Sequence, residues 1–289
     1  MTEALERQIL SYQRNEITEH YIYRRLADTV KGPEDQRILH GISDDELRHY
    51  RDWKLHTRRD VRPDRLKVWF YYWVGWIFGI TFGVKLMERG EGQAQKNYIR
   101  LLGIIENMES MIKDENEHEA ALIGLLDEER LKYMGSIVLG LNDALVELTG
   151  GLAGLTLALR NTRLIALTGL IVGFAASLSM AASEYLSTKA EKAAGIKPLK
   201  ASIYTGTTYT ATVMVLILPY LLLENPFLCL VWTLVCAVLI IAGFNFYISV
   251  AKGEPFRRHF LEMAGVSLGV AGISFGIGYA IRVFLGVEM

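Results

Sequence analysis

Two short segments of the chain pair a glutamate with a histidine three residues later: Glu46 with His49, and Glu115 with His118. Side chains three residues apart on an α-helix project from the same face, so each pair can offer a carboxylate and an imidazole to one metal ion. One such pair is a weak indication, because glutamate and histidine are common on solvated helices. Two such pairs in one chain are a stronger indication of a metal site.

Each Glu-His pair follows a segment of helical periodicity in which a glutamate precedes a tyrosine by seven residues. Glu16 and Tyr23 come before the first pair, and Glu91 and Tyr98 come before the second. The order is therefore glutamate, Glu-His pair, glutamate, Glu-His pair. Four inward-facing helices with this inventory form the di-metal carboxylate site of ferritin-like bundles.

On these motifs, residues 3–130 resemble the rubrerythrin-type ferritin-like domains. Carried over position by position, the resemblance implies a di-metal site whose ligands are Glu16, Glu46, His49, Glu91, Glu115 and His118. It also implies that Tyr23 and Tyr98 orient these carboxylates. The cofactor would be iron, with manganese as the alternative, because carboxylate and imidazole ligands serve both metals. Glu88 is a weaker candidate ligand, and Glu19, Glu117 and Glu119 are expected on solvated helix faces.

Charge is distributed unevenly along the 289 residues. Residues 1–133 carry 21 Lys and Arg with 24 Asp and Glu, whereas residues 134–289 carry 10 and 8. The second share is far below that of soluble domains, which argues against a uniformly soluble protein. The net charge of −1 gives a nucleic-acid partner no electrostatic basis. We therefore predict two domains, 1–133 and 134–289.

After Met134, five apolar runs alternate with short polar connections, and each run is long enough to cross a membrane. The runs cover residues 134–159, 164–187, 203–223, 226–249 and 260–285. The predicted fold class is thus all-α, a cytoplasmic ferritin-like four-helix bundle followed by a five-helix transmembrane domain. Basic residues concentrate in the connections 188–202 and 250–259, which predicts that the N-terminal domain is cytoplasmic and the C-terminus outside.

Three acidic residues lie inside the apolar runs. Asp143 and Glu147 share a face of the first run, and Glu184 lies near the end of the second. Carboxylates at membrane depth usually face a partner or a watery pathway. Met180 adds a thioether, a ligand that suits transition metals.

The strings GLNDALVELTGGLAG (140–154) and TGLIVGFAASLSMAASEYLSTKAE (168–191) resemble the first two spans of the vacuolar iron transporter family. The resemblance covers residues 134–289 and implies a homodimer in the lipid bilayer that exchanges Fe²⁺, or Mn²⁺, for protons. Asp143 and Met180 would line the transport pathway, and Glu184 would lie at its cytoplasmic mouth. Family members often have glycine where this chain has Ala144. Some have a long metal-collecting insertion after the second span, where this chain has only residues 188–202.

The segment VWFYYWVGWIFGITFGV (68–84) is apolar and aromatic, and it is almost long enough to span a membrane. If it did, Glu91 would lie across the bilayer from Glu16. We therefore expect a crossover and third helix, with the aromatic face buried in a dimer interface or lying at the membrane surface.

Together the two halves predict an inner or plasma membrane protein that exports iron from the cytoplasm in exchange for protons. Fe²⁺ would pass Glu184 and Met180 to reach Asp143 and Glu147, after a cytoplasmic di-iron domain has collected, sensed or oxidised it. The alternative function is a membrane-anchored di-iron oxidoreductase, a ferroxidase or peroxidase, whose spans serve mainly as an anchor. Whether the di-metal site is catalytic is left open by the sequence.

Overall fold

The computed structural model describes residues 3–30, 32–87, 89, 108–124, 132–191 and 195–285. All regular secondary structure in these ranges is helical, so the predicted all-α class is confirmed. The chain forms two compact units, Met1–Glu128 and Glu129–Met289. We call them the N-terminal unit and the membrane unit.

Four helices of the N-terminal unit have both ends within the described residues: α1 (Glu3–Ala27), α2 (Pro33–Thr57), α3 (Arg65–Phe78) and α4 (Met108–Gly124). Helix α1 packs against α2 and α3, and α2 contacts α4. Pro33 begins α2, because its fixed backbone angle suits the first turn and its missing N–H needs no partner there.

Two apolar clusters lie along α1 on either side of Glu16. One includes Ile9, Tyr12 and the fully buried Trp53, and the other includes Ile22 and Leu26. Glu16 is itself buried. Since the clusters flank it in both directions along α1, the polar layer containing Glu16 is enclosed by apolar side chains.

In the described part of the membrane unit there are five helices: α5 (Met134–Leu159), α6 (Thr162–Glu191), α7 (Pro198–Leu222), α8 (Pro226–Lys252) and α9 (Phe256–Leu285). All five are long and apolar enough to cross a membrane. Each helix overlaps one of the five predicted runs, and the ends differ by at most five residues. Helix α5 contacts each of the other four, which makes it the centre of the unit.

The aromatic segment 68–84 is not one continuous helix. Helix α3 ends at Phe78, and Gly79 follows with φ of 102°, a backbone angle that favours glycine. Helical backbone resumes at residues 80–87. Because α3 has only 14 residues, it is too short to cross a bilayer.

Candidate metal sites

Four of the predicted ligands come together inside the N-terminal unit. Glu16 on α1, Glu46 and His49 on α2, and Glu115 on α4 each place one ligand atom within 4.8 Å of the others. Three separate helices thus supply one cluster. Of the four, only Glu115 is not fully buried.

The two nitrogens of His49 face in different directions. Nδ1 lies 3.6 Å from an oxygen of Glu16, 3.7 Å from one of Glu46 and 3.8 Å from one of Glu115. These separations exceed ordinary hydrogen bonds but are those expected of neighbouring ligands around a common ion. Nε2 lies on the other side, 3.2 Å from Asp114 Oδ2.

His118 repeats this arrangement on α4. Its Nδ1 lies 3.3 Å from Glu46 Oε1, and its Nε2 lies 3.0 Å from Asp45 Oδ2. The ring centroids of His49 and His118 are 6.1 Å apart. Glu46 therefore lies close to the inward nitrogens of both histidines, as expected of a carboxylate shared between two metal positions.

Three buried polar atoms of this cluster have no hydrogen-bond partner: Glu46 Oε2, His49 Nδ1 and His118 Nδ1. Buried polar atoms are nearly always paired, so three orphans beside one another require an explanation. A divalent metal ion supplies one, because all three atoms are good ligands for Fe²⁺ or Mn²⁺. The residues present therefore fit a metal centre.

The pKa values of the cluster also favour a metal centre. Burial raises the pKa of Glu46 well above its ordinary value, and the charge on Glu16 adds to this rise while His49 opposes it. Burial also raises the pKa of Glu115, as do the charges on Glu46 and Glu16. For His49, burial lowers the pKa, but Glu16 and Glu46 outweigh it and raise the pKa to about 11. Without metal, the cluster thus retains protons that a cation would displace.

An outer network, which the sequence reasoning missed, connects the two histidines. Arg48 places Nη1 2.7 Å from Asp45 Oδ1 and Nη2 2.7 Å from Asp114 Oδ2. Asp45 faces His118 and Asp114 faces His49, so one guanidinium bridges both carboxylate–histidine pairs. Such outer partners fix the orientation of ligating histidines. The signal was present in the sequence, since an aspartate directly precedes the glutamate in both DELRH and DENEH.

A second missed contact orients Glu16. The indole Nε1 of Trp53 donates a hydrogen bond of 3.1 Å to Glu16 Oε1, and both side chains are buried. Tyr23, which we predicted in an orienting role, is buried in the apolar cluster with Ile22 and Leu26. Its orienting role stays a prediction.

The remaining predictions in this unit have different outcomes. Glu91, Tyr98 and Glu88, and the side chain of Glu119, lie outside the described residues. Glu117 is exposed, as predicted for a solvated face. The prediction for Glu19 is wrong, because this residue is only 8% exposed. Glu19 follows Glu16 by three residues, so it shares the inward face of α1.

In the membrane unit, hydrogen bonds connect two of the predicted carboxylates to neighbouring helices. Ser136 Oγ donates to Glu184 Oε1 at 2.5 Å, between α5 and α6. Tyr209 on α7 donates its hydroxyl to Glu147 Oε2 at 2.7 Å. Neither donor was predicted, because serine and tyrosine in apolar runs give no distinctive spacing.

The other two predicted pathway residues, Asp143 and Met180, lie on α5 and α6. Asp143 is half-buried, and Met180 packs against the main apolar cluster of the membrane unit. Since α5 rises about 1.5 Å per residue, Asp143 lies about 10 Å along the helix from Ser136, and Glu147 about 16 Å. The acidic groups are therefore spread along the helix axis.

A comparison of the chain with known protein families bears on the function of α5 and α6. The VIT family model matches residues 134–195. With the five apolar helices, this match supports an integral membrane protein, and the family suggests membrane transport of metal ions. No curated protein matches the chain. The match does not reach the N-terminal unit, so the ferritin-like character of that unit stays a prediction.

Proposed function

We propose that the protein exports Fe²⁺, or Mn²⁺, from the cytoplasm across the cell membrane in exchange for protons. The observation that carries the proposal is the VIT family match over α5 and α6, the two helices that hold the acidic residues Asp143, Glu147 and Glu184. Carboxylates in membrane-spanning helices are expensive and usually functional. A purely anchoring unit would have no use for them.

The proposed pathway begins at Glu184. Glu184 is half-buried near the end of α6, where Ser136 holds its carboxylate by a hydrogen bond. The basic connection 188–202 follows directly, and its lysines support a cytoplasmic position for this end. Fe²⁺ would then pass Met180, one turn earlier on α6, and reach Asp143 and Glu147.

Proton exchange would take place at Asp143 and Glu147. The two lie four residues apart and share a face of α5, so one divalent cation would meet both carboxylates. Glu147 is exposed on the surface of its unit, and the hydroxyl of Tyr209 fixes one of its oxygens. Protonation from the outer side would weaken the hold of the pair on a divalent cation and so release it.

The N-terminal unit would hold a di-iron centre through Glu16, Glu46, His49, Glu115 and His118, with Glu91 completing the set. A bound iron pair would supply redox and Lewis-acid chemistry there. The residues themselves provide buried carboxylates with raised pKa values and two histidines oriented by aspartates. In this proposal the unit is a cytoplasmic ferritin-like bundle that collects iron for the pathway, in a homodimeric protein.

A second candidate function rests on the enclosure of this centre. Its ligands Glu16, Glu46 and His49 are almost inaccessible to solvent, which suits a di-iron oxidase as well as a collector. The protein would then be a membrane-anchored ferroxidase or peroxidase. Glu46→Ala separates the two functions. An anchored oxidase carries no metal across the membrane, so this variant would lose only the Fe²⁺-dependent consumption of O₂ or peroxide. In a transporter supplied by the cluster, it would also change metal uptake.

The direct test measures metal flux into inverted membrane vesicles, whose cytoplasmic face is outward. We expect Fe²⁺ or Mn²⁺ uptake that an imposed proton gradient accelerates and that Asp143→Ala abolishes. Glu224→Gln is the matched control, because Glu224 is exposed in the turn between α7 and α8. Uptake that is indifferent to both the gradient and Asp143→Ala would refute the proposed exchange.

A further inference from the structure

Helix α3 presents an exposed stripe of large apolar side chains, which we call the aromatic stripe: Leu66, Trp69, Phe70, Trp73, Trp76 and Ile77. Each is between 47% and 83% exposed. Their spacing of three and four residues puts them on one side of the helix. Monomeric soluble surfaces rarely expose a continuous apolar patch of this kind, so the stripe requires an occupant.

The opposite side of α3 is buried against the rest of the N-terminal unit. Val68 and Gly75 are its buried residues, and α3 packs against α1. A Cβ built on Gly75 would lie 2.6 Å from Cδ2 of Leu26, so a glycine at this position allows the close approach. Because α3 is fixed by this face, the aromatic stripe cannot turn inward to become part of the core.

Basic side chains border the aromatic stripe. Arg65 and Lys67 are exposed on its two sides at the start of α3, and Arg62 is exposed just before the helix. The guanidinium carbon of Arg25 lies 4.7 Å from the ring centroid of Trp69. The nearest carboxylate in the sequence, Asp64, already accepts the backbone N–H groups of Leu66 and Lys67 as the helix cap.

We propose that α3 lies in the plane of the membrane interface, with the aromatic stripe among the acyl chains and its basic border at anionic phospholipid headgroups. At about 1.5 Å per residue its 14 residues extend about 21 Å, which is less than the roughly 30 Å of a hydrocarbon core. Tryptophan is the residue type enriched at this depth. Basic borders with an aromatic centre are the composition of interfacial helices.

The charges favour a lipid surface over a second copy of this chain. Two aromatic stripes packed against each other would bring their own arginines and lysines together, and like charges across an interface are repulsive. A bilayer is also always within reach, because the same chain carries five candidate membrane spans. The inference is independent of which ion the membrane unit moves.

The test uses the full-length protein in vesicles of phosphatidylcholine and phosphatidylglycerol. Three of the five tryptophans belong to the aromatic stripe; the others are the buried Trp53 and Trp232 on α8. The difference in tryptophan fluorescence between the wild type and the triple variant Trp69→Phe, Trp73→Phe, Trp76→Phe is the fluorescence of the aromatic stripe. Trp232→Phe is the matched control, since it removes an exposed tryptophan of a membrane helix and leaves the stripe intact.

We expect lipids brominated near the headgroup end of their chains to remove most of this stripe fluorescence, and aqueous iodide to leave it unchanged. Charge reversal with Arg65→Glu and Lys67→Glu should reduce the lipid quenching when phosphatidylglycerol is present. Quenching by iodide but not by brominated lipid would overturn the proposal in favour of an exposed helix. Protection from both quenchers would overturn it in favour of a second copy.

If the triple variant does not fold, the charge-reversed protein gives the same decision with all its tryptophans present. Its brominated-lipid quenching should fall and its iodide quenching should rise relative to the wild type. Identical quenching of the two proteins by both agents would contradict the proposal.

Discussion

Each histidine of the metal cluster uses its two ring nitrogens for different purposes. Nδ1 of His49 and of His118 faces carboxylates and remains without a hydrogen bond, while Nε2 faces an aspartate. When a metal displaces one proton from the ring, the aspartate would hold the remaining proton on Nε2 and so present Nδ1 to the metal. Arg48 joins both aspartates, so the two histidines are oriented as one unit.

Asp114→Asn should therefore weaken metal binding although Asp114 touches no metal position directly. We expect the affinity for Mn²⁺ to fall by about 10–100-fold, the usual effect of losing an outer partner of a ligating histidine. Calorimetric titration of the purified protein measures it. Asp44→Asn is the control, since Asp44 is exposed on the same helix as His49. Equal affinities of the two variants would contradict the orienting role.

Metal binding at the cluster should become tighter as the pH rises. Burial raises the pKa of Glu46 and Glu115, and neighbouring carboxylates raise that of His49 to about 11 against its burial. A cation binds the deprotonated groups, so protons compete with it at lower pH. Titrations in buffers of different ionisation heat should reveal proton release that is absent in Glu46→Ala. Affinity that is constant between acidic and alkaline pH would oppose this expectation.

At the level of single residues, the sequence predicts candidate metal ligands better than it predicts the residues that orient them. Glu46 and His49 are recognisable because a fixed spacing on a helix puts them on one face. The alternating pairing of Asp45 with His118 and Asp114 with His49 depends on how α2 and α4 pack, which spacing within one helix does not encode. Trp53 reaches Glu16 across 37 positions of sequence and has no local signal.

At the scale of elements, the membrane helices touch backbone to backbone at small residues. A Cβ added to Gly278 on α9 would lie 2.4 Å from the carbonyl oxygen of Gly154 on α5. One added to Gly140 would lie 2.4 Å from the carbonyl oxygen of Thr205 on α7. In lipid, such close packing is a principal force that holds helices together.

Gly278→Ala should therefore destabilise the membrane unit, because the backbone it meets cannot move aside cheaply. We expect a cost of about 1–3 kcal/mol, as for other overpacked sites. The thermal unfolding midpoint in detergent measures it. Gly276→Ala is the matched control on the same helix, since a Cβ there meets nothing within 4 Å. A midpoint unchanged by Gly278→Ala would contradict the close approach.

The elements themselves were largely predictable. The five spans follow from hydropathy, which depends only on the local sequence and the thickness of a bilayer. The interruption of segment 68–84 at Gly79 was not predicted, because an isolated glycine inside an apolar run does not by itself indicate a positive φ. The burial of Glu19 could have been predicted from spacing, because Glu19 follows the predicted ligand Glu16 by three residues on the same helix.

At the scale of the whole molecule, one chain joins a membrane unit to a unit with a candidate metal cluster. The two need not act together for each to work, but the short connection 188–202 leaves the membrane unit without a large metal-collecting insertion. The N-terminal unit holds carboxylate and imidazole groups that could bind a metal ion. The proposed function requires that the cluster supply metal to the membrane unit.

The rate of Fe²⁺ uptake into inverted vesicles, measured against Fe²⁺ concentration for the wild type and Glu46→Ala, tests this claim most directly. If the cluster supplies the pathway, Glu46→Ala should require more Fe²⁺ for half-maximal uptake and reach the same maximal rate, whereas Asp143→Ala should lower the maximal rate itself. Coincident curves for the wild type and Glu46→Ala, in vesicles where metal analysis confirms that the variant has lost its bound iron, would contradict it.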